Sequence, residues 1–386
     1  MTDVFPKFYL YSGRHKDIMN KPSHPSNRLA SLDFLKGLTM VLLALEATRL
    51  FEHLLPVAEG GWAATMLNQF FHHPWNGLRF WDLVQPTFMF SAGVALAYSL
   101  KKQARYLTWS ESFIKTLKRC GWLFFWGVLD YAVRKDGLSF ELWDVLTQLS
   151  FTTLVAFLIF DWSVKAQIFI SFLCLLIPEL LYRYTNIPNF NQPFTDQHNF
   201  GNYMDLVLMN KINPGGWVAI NCISTTAHTI WGVLAGKLLM SHRTSGQKLQ
   251  WLVFGGLALL ILGFGLDLGH ITPIIKRIAT SSFVLASGGW VLLFLALCYW
   301  WVDIRNHRKY LFLFYLFALN SIFIYLFNEI IGDRWFTGYI LAITNGLFGI
   351  IHLPVLLSSV LGSGVVFALE TGILYFLYQK KIFFKL

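Results

Sequence analysis

Apolar residues run in long blocks along nearly the whole chain, and short polar stretches separate them. The blocks lie near 35–52, 82–100, 118–134, 143–161, 166–183, 217–240, 250–267, 279–302, 311–330 and 355–378. A helix rises 1.5 Å per residue, so about 20 apolar residues cross a hydrocarbon core of roughly 30 Å. The pattern predicts an all-α polytopic transmembrane bundle of about ten spans. An eleventh block, 335–352, carries Asn345, His352 and three glycines, with Pro354 just after it. It predicts a dipping segment that does not cross. The connection 184–216 is rich in Asn, Pro, Asp and Gln and reads as an irregular loop. No internal repeat and no long linker divides the chain. The expected organisation is a polar tail, 1–27, followed by a single membrane domain, 28–386.

Composition narrows the class. Of 386 residues, 55% are hydrophobic and only 13% charged, against roughly 25% charged in an ordinary soluble domain. That balance excludes a soluble enzyme, a disordered chain and a secreted disulfide scaffold. Cys120, Cys174, Cys222 and Cys298 are scattered through apolar blocks without a C-x-x-C pair, as small core residues are. The tail lacks the basic stretch, short apolar run and small-residue cleavage site of a signal peptide. The net charge of +10 leaves nucleic acid, anionic lipid and an anionic ligand open.

The distribution of charge decides among these. With the N-terminus in the cytoplasm and ten alternating crossings, inner segments hold 21 of the 31 Lys and Arg and outer segments hold eight. Positive residues concentrate on the cytoplasmic side of membrane proteins. Both termini are therefore expected in the cytoplasm, and the dispersed basic loops argue against a nucleic-acid partner. The same loops suit anionic lipid without any further ligand.

Polar residues inside apolar blocks need a partner or a function, because a charge at the bilayer centre costs at least about 2.5–3.5 kcal/mol. Asp33 and Lys36 open the first block three residues apart, on one helical face. Spacing alone reads them as a helix start with a local ion pair; the sharper reading is a polar site for an anionic ligand. His72-His73-Pro74-Trp75-Asn76-Gly77 precedes the second block and is followed by Asp82. Imidazole titrates near neutrality and is nucleophilic when neutral, and Asp82 is placed to orient it. Adjacent histidines point apart on any regular element, so a metal site is not expected here. Gln148, Ser150, Asn221, Ser224, Thr225, Thr226, His228, Ser282, Asn320 and Ser321 scatter polarity through later blocks. Singly they read as interhelical glue; together they predict a wet or occupied interior.

Several of these segments match a known pattern in order. Arg28-Leu29-Ala30-Ser31-Leu32-Asp33-Phe34-Leu35-Lys36-Gly37 resembles the R-x-x-S-x-D-x-x-R-G opening of the heparan-α-glucosaminide N-acetyltransferase family. His72 to Gly77, then Asp82-Leu83-Val84-Gln85-Pro86, Phe88-Met89-Phe90 and Gly93, resembles its H-x-x-W-x-G…D-L-x-x-P-x-F-x-F…G signature. Asn213-Pro214-Gly215-Gly216, Pro273-Ile274-Ile275-Lys276, Thr280-Ser281-Ser282-Phe283-Val284, Ala318-Leu319-Asn320-Ser321-Ile322 and Leu377-Tyr378-Gln379-Lys380-Lys381 follow in the family's order. Lys36 stands where the family has arginine, and Gln85 where an aromatic residue is usual.

The resemblance implies an acyltransferase that takes acetyl groups from cytosolic acetyl-CoA and delivers them to an acceptor across the membrane. In a bacterial-type member the membrane would be the inner (plasma) membrane. It places the active histidine on His72, with Asp82 and Asn76 as candidates to orient it or hold an oxyanion. Coenzyme A is anionic, so Lys36, Lys101, Lys102, Arg105, Lys380, Lys381 and Lys385 are candidates for its nucleotide end, with Asp33 beside Lys36. Gln148, Ser282 and Asn320 are candidates to line a path for the pantetheine arm. The acceptor would be an amine or hydroxyl of an extracytoplasmic sugar or glycan, with the bilayer as the other partner; a homodimer is left open. The alternative is a transporter or flippase, in which Glu46, Arg49 and Glu329 would mark a translocation path.

Overall fold

The computed structural model describes residues 29–58, 61–134 and 138–384. The tail 1–27, Arg28 of the opening motif, Lys135 and Lys385 lie outside them. The helices, in chain order, are α1 (Ala30–Ala47), α2 (Leu50–Leu54), α3 (Trp62–Leu67), α4 (Val84–Gln103), α5 (Trp109–Ala132), α6 (Val145–Leu158), α7 (Val164–Tyr184) and α8 (Phe200–Met209). They continue as α9 (Asn221–Leu239), α10 (Ser245–Leu268), α11 (Ser281–Cys298), α12 (Phe312–Leu319), α13 (Ser321–Phe327), α14 (Thr337–Ile350) and α15 (Val355–Gln379). Among the described residues the only extended pairing is an isolated antiparallel bridge between Asn76 and Ile275. The chain forms two compact units, Gln69–Ala296 and the combination of Met1–Asn68 with Leu297–Leu386.

Polar caps begin five of the described helices, α5, α6, α7, α8 and α10. Thr108 with Glu111, Asn199 with Asn202 and Thr244 with Gln247 form reciprocal capping boxes at α5, α8 and α10, each satisfying backbone N–H groups that a helix start leaves free. All ten apolar blocks fall on helix. The described segments Phe80–Gln103, Val164–Tyr184, Ser245–Leu268, Ser281–Ile304 and Val355–Gln379 are long and apolar enough to cross a membrane, and one bent pair raises the number to six. Four other expected spans are helical but weaker. The first, α1, carries Asp33, Lys36 and Glu46; α5 is interrupted by five charged residues; α6 has only 14 residues; and α9 is rich in Ser, Thr, Asn and His.

The bent pair divides the expected ninth span into two helices. Residues 311–330 are not one helix: α12 and α13 meet at Asn320 with a bend of 75°. Asn320 leaves helical geometry at φ −120° and ψ 37°. Its amide nitrogen donates to the Ile382 carbonyl at 3.2 Å, and its amide oxygen accepts from Phe384 N–H at 2.9 Å. The side chain thus clamps the C-terminal segment instead of lying along a continuous helix. The eleventh block forms α14. It continues without a break from α13 through a π-helical stretch, Asn328–Phe336.

In the unit Gln69–Ala296, α4 packs along α9, which also touches α6, α7 and α10. Most of the apolar stretch of α4 is buried, whereas α7 and α10 leave most of theirs outward. The outward residues are apolar, Ile168, Phe169 and Phe172 on α7 and Trp251, Phe254, Ile261 and Leu262 on α10. Such faces suit lipid better than water. Glycine lets α4 and α9 meet backbone to backbone. A Cβ on Gly93 would stand 2.0 Å from the Thr229 carbonyl oxygen, and one on Gly232 would stand 2.0 Å from that of Phe90. Much of the polarity on the later helices ties backbone and neighbours together. Thr225 and Thr226 bond carbonyls one turn back, His228 Nε2 bonds the Val284 carbonyl and Ser287 on α11, and Trp231 bonds Ser171 on α7.

Gly93→Ala forces α4 and α9 apart and lowers the thermal midpoint of the detergent-purified protein, at a cost of about 1–3 kcal/mol. Gly121→Ala does not, because nothing lies within 4 Å of that position.

Candidate active site

The site grows from one buried carboxylate. Asp82 is completely buried in the tight turn Phe80–Leu83 that leads into α4. A carboxylate in a first helical turn is favoured by the helix dipole. Its Oδ2 accepts from the backbone N–H of Arg79 at 2.9 Å and of His73 at 3.3 Å. Its Oδ1 lies 3.1 Å from His72 Nδ1 and 3.5 Å from Lys276 Nζ. The segment 72–79 therefore folds around Asp82, and the Arg79 guanidinium closes it by donating to the His72 carbonyl at 3.1 Å.

Lys276 arrives from the connection between α10 and α11. Gly77 N–H donates to the Ile274 carbonyl at 2.7 Å, next to the Asn76–Ile275 bridge. This pairing sets residue 276 against residue 72, and Lys276 Nζ lies 2.9 Å from His72 Nδ1. The connection is held from several sides. Asp267 accepts from Ile274 N–H, and the hydroxyls of Thr280 and Ser282 both donate to the Pro273 carbonyl. Glu179 on α7 receives Arg183 at 2.7 Å, Thr272 at 2.7 Å and Ser281 at 2.9 Å.

A third segment supplies Trp217. Its indole stands edge-on to the His72 ring at 5.8 Å, with the Lys276 ammonium 5.2 Å from the same indole. The preceding Asn213-Pro214-Gly215-Gly216 turn requires glycine at 216. Its φ is +76°, and a Cβ there would stand 2.4 Å from Asp196 Oδ1 and 2.8 Å from the Trp75 ring. Arg277 Nη1 donates to the Gly215 carbonyl, and Trp75 Nε1 donates to that of Phe194. Behind the turn, Asp205 accepts from Ala219 N–H and Trp143 Nε1. Burial pushes the Asp205 carboxyl up to about 7.

His72 keeps 41% of its side chain exposed while Nδ1 is turned inward. Nδ1 cannot donate to Asp82 and accept from Lys276 at the same time, so the two neighbours compete for it. Burial of its inner edge lowers the His72 pKa most, the Lys276 ammonium lowers it next, Asp82 opposes both, and Arg277 adds a further lowering. With Nδ1 engaged, Nε2 is the ring nitrogen left for a reacting group. Such a histidine can take a proton or form a covalent acyl bond. Neighbouring His73 turns its ring against Gly77 instead. Among the described residues no group of three His, Cys, Asp or Glu could hold a metal ion.

The other sequence candidates take varied places. Asn76 joins the site through its backbone bridge. Gln148 accepts from the amide of Gln85, the residue three after Asp82. It also lines a largely apolar cavity of about 360 Å³ with Leu142, Phe151, Leu208 and Ile223. Ser282 holds the Pro273 carbonyl. Lys101 and Arg105 lie at the far end of α4, whose 20 residues extend about 30 Å. Asp33, Lys36, Asn320, Lys380 and Lys381 belong to the other unit. There Asp33 and Lys36 are half-buried on α1, and Lys380 and Lys381 follow α15. Sequence reasoning assigned no role to Lys276 or Trp217. The available signal was a lysine set in Ile274-Ile275-Lys276-Arg277-Ile278, where apolar neighbours on both sides imply burial.

Glu179→Ala removes the acceptor shared by three donors. Amide exchange then accelerates across 271–281, while α8, which this network does not hold, keeps its protection; hydrogen–deuterium exchange read by mass spectrometry makes the comparison.

No curated protein matches the chain. One family model does, over residues 28–235, a stretch that contains His72, Asp82 and Trp217 and stops short of Lys276. Since that stretch is more than half of the chain, the protein belongs to the family described as a domain of unknown function, DUF5009.

Proposed function

We propose that the protein is a membrane-embedded acyltransferase. It moves an acyl group, acetyl in the simplest case, from cytosolic acyl-CoA to an amine or hydroxyl of an extracytoplasmic sugar or glycan. The observation that carries this reading is His72, whose Nδ1 faces a buried carboxylate while its outer edge stays open. A histidine so placed presents Nε2 to a substrate in fixed orientation. In the covalent route, Nε2 attacks the thioester carbonyl, the C–S bond breaks, and coenzyme A leaves as the thiolate. The acceptor then attacks the acyl-imidazole carbonyl, the bond from that carbon to Nε2 breaks to return neutral His72, and the acceptor's proton ends on the coenzyme A thiolate. In the direct route, Nε2 takes the acceptor's proton as the acceptor attacks the thioester carbonyl, the C–S bond breaks, and the His72 imidazolium returns the proton to the departing thiolate. Both routes end in free thiol and acylated acceptor.

Topology supports the reading. In the ten-crossing arrangement that the excess of inner Lys and Arg favours, with both termini in the cytoplasm, the His72 end of α4 would lie at the extracytoplasmic face and Lys101 and Arg105 at the cytoplasmic face. The length of α4, about 30 Å, matches a hydrocarbon core. A bacterial inner membrane fits this arrangement. Lys36, Lys101, Lys102, Arg105, Lys380 and Lys381 are the described basic candidates for the anionic donor, and each is testable singly.

Membranes given radiolabelled acetyl-CoA should transfer label to an amino-sugar acceptor. His72→Ala should reduce transfer at least about 100-fold, the low end of what a general base contributes, with unchanged elution on size exclusion. Near wild-type transfer by that variant rules out the assignment, and vectorial uptake of intact solute without label transfer favours a transporter. Lys36→Ala should raise the apparent KM for acetyl-CoA with little change in kcat; an unchanged KM removes Lys36 from the donor site.

A further inference from the structure

A histidine that faces a buried carboxylate alone tends to become its counter-ion. It takes a second proton, forms an ion pair and loses the lone pair on Nε2 that acyl transfer needs. Asp82 is completely buried and lies 3.1 Å from His72 Nδ1. Taken as a pair, these two residues would make an inert imidazolium–carboxylate contact.

Lys276 changes the balance. Its side chain is only 7% exposed, and its ammonium lies 3.5 Å from Asp82 Oδ1 and 2.9 Å from His72 Nδ1. The Trp217 face lies 5.2 Å from the same ammonium, in the arrangement that favours a cation over an aromatic ring. The connection that delivers Lys276 is tied down by Asp267, Thr280, Ser282 and the Gly77–Ile274 backbone bond. The cation is therefore built into the site and is not a mobile surface lysine.

We infer that Lys276, not His72, is the counter-ion of Asp82, and that as a positioning residue it leaves His72 neutral, with Nδ1–H donated to Asp82 and the lone pair on Nε2 free to react. The inference relies on the acyltransferase reading only for its consequence on rate; the charge assignment stands without it. The other groups around the imidazole do not substitute for Lys276. Arg79 is engaged with the His72 carbonyl, and Arg277 with the Gly215 carbonyl. His73 lies against Gly77, and Asp196 lies against Gly216. The lowered pKa of His72, with the Lys276 ammonium as its second cause after burial, agrees in direction.

The test is an NMR titration of the purified protein labelled at histidine, with the His72 signal identified by its loss in His72→Gln. The wild-type midpoint should lie below the ordinary 6.5. Lys276→Met should raise it by at least about one pH unit, the scale on which a single neighbouring charge acts; Lys276→Arg should keep it low. If Lys276→Met does not fold, Lys276→Gln is titrated in its place. An unchanged midpoint in the uncharged variant overturns the inference. In acetyl-transfer assays the acid limb of the pH–rate profile should move upward with the midpoint, so that Lys276→Met fails near pH 6 and recovers near pH 8. Loss at every pH with an unmoved midpoint means a purely structural role and overturns the inference. No transfer by the wild type, together with a shifted midpoint in Lys276→Met, removes the acyltransferase reading and leaves the charge assignment in place.

Discussion

A carboxylate buried in an apolar bundle is costly unless donors surround it, by several kcal/mol for an unpaired charge. Asp82 meets that demand from three directions: the His72 ring with the His73 backbone, the Arg79 backbone, and Lys276 from a connection about 200 residues away. Satisfying Asp82 and assembling the site are consequently the same event. The turn before α4 cannot close without bringing His72 in, and the α10–α11 connection cannot complete the set without bringing in Lys276 and, beside it, Trp217.

The scaffold behind this cluster is held by backbone contact and interhelical hydrogen bonds. Gly93 and Gly232 allow α4 and α9 to touch, which fixes the axis on which Asp82 rides. His228, Ser287, Trp231 and Ser171 connect α9 to α11 and α7. Glu179 then ties α7 to the connection that carries Lys276. A path of hydrogen bonds thus runs from the helix core to the His72 ring.

The helices were legible because a block of about 20 apolar residues has few other solutions. His72 and Asp82 were legible because they lie ten residues apart in one segment whose residue types suggest chemistry. Lys276 was not, because its partner is 204 positions away and its hydrophobic setting looks the same whether or not it meets a histidine. Ser282 illustrates the converse. Its place in an apolar block marked it as polar and gave no partner; its hydroxyl holds the Pro273 carbonyl. Asn320 looked like a polar point on a continuous span, and only the position of the C-terminal segment turns it into a bend. In each case the local pattern identified an unusual residue, and the long-range contact decided what it does.

In the proposed reaction a cytosolic donor and an extracytoplasmic acceptor meet through His72 without either crossing intact. Sealed proteoliposomes with acetyl-CoA on the side that carries the chain termini, and an amino sugar trapped on the opposite side, measure this directly. Acetylated amino sugar should form inside the vesicles and free coenzyme A outside, in proportion to the amount of correctly oriented protein. Product that forms only when both compounds share one side, or amino sugar that crosses unmodified, would contradict it.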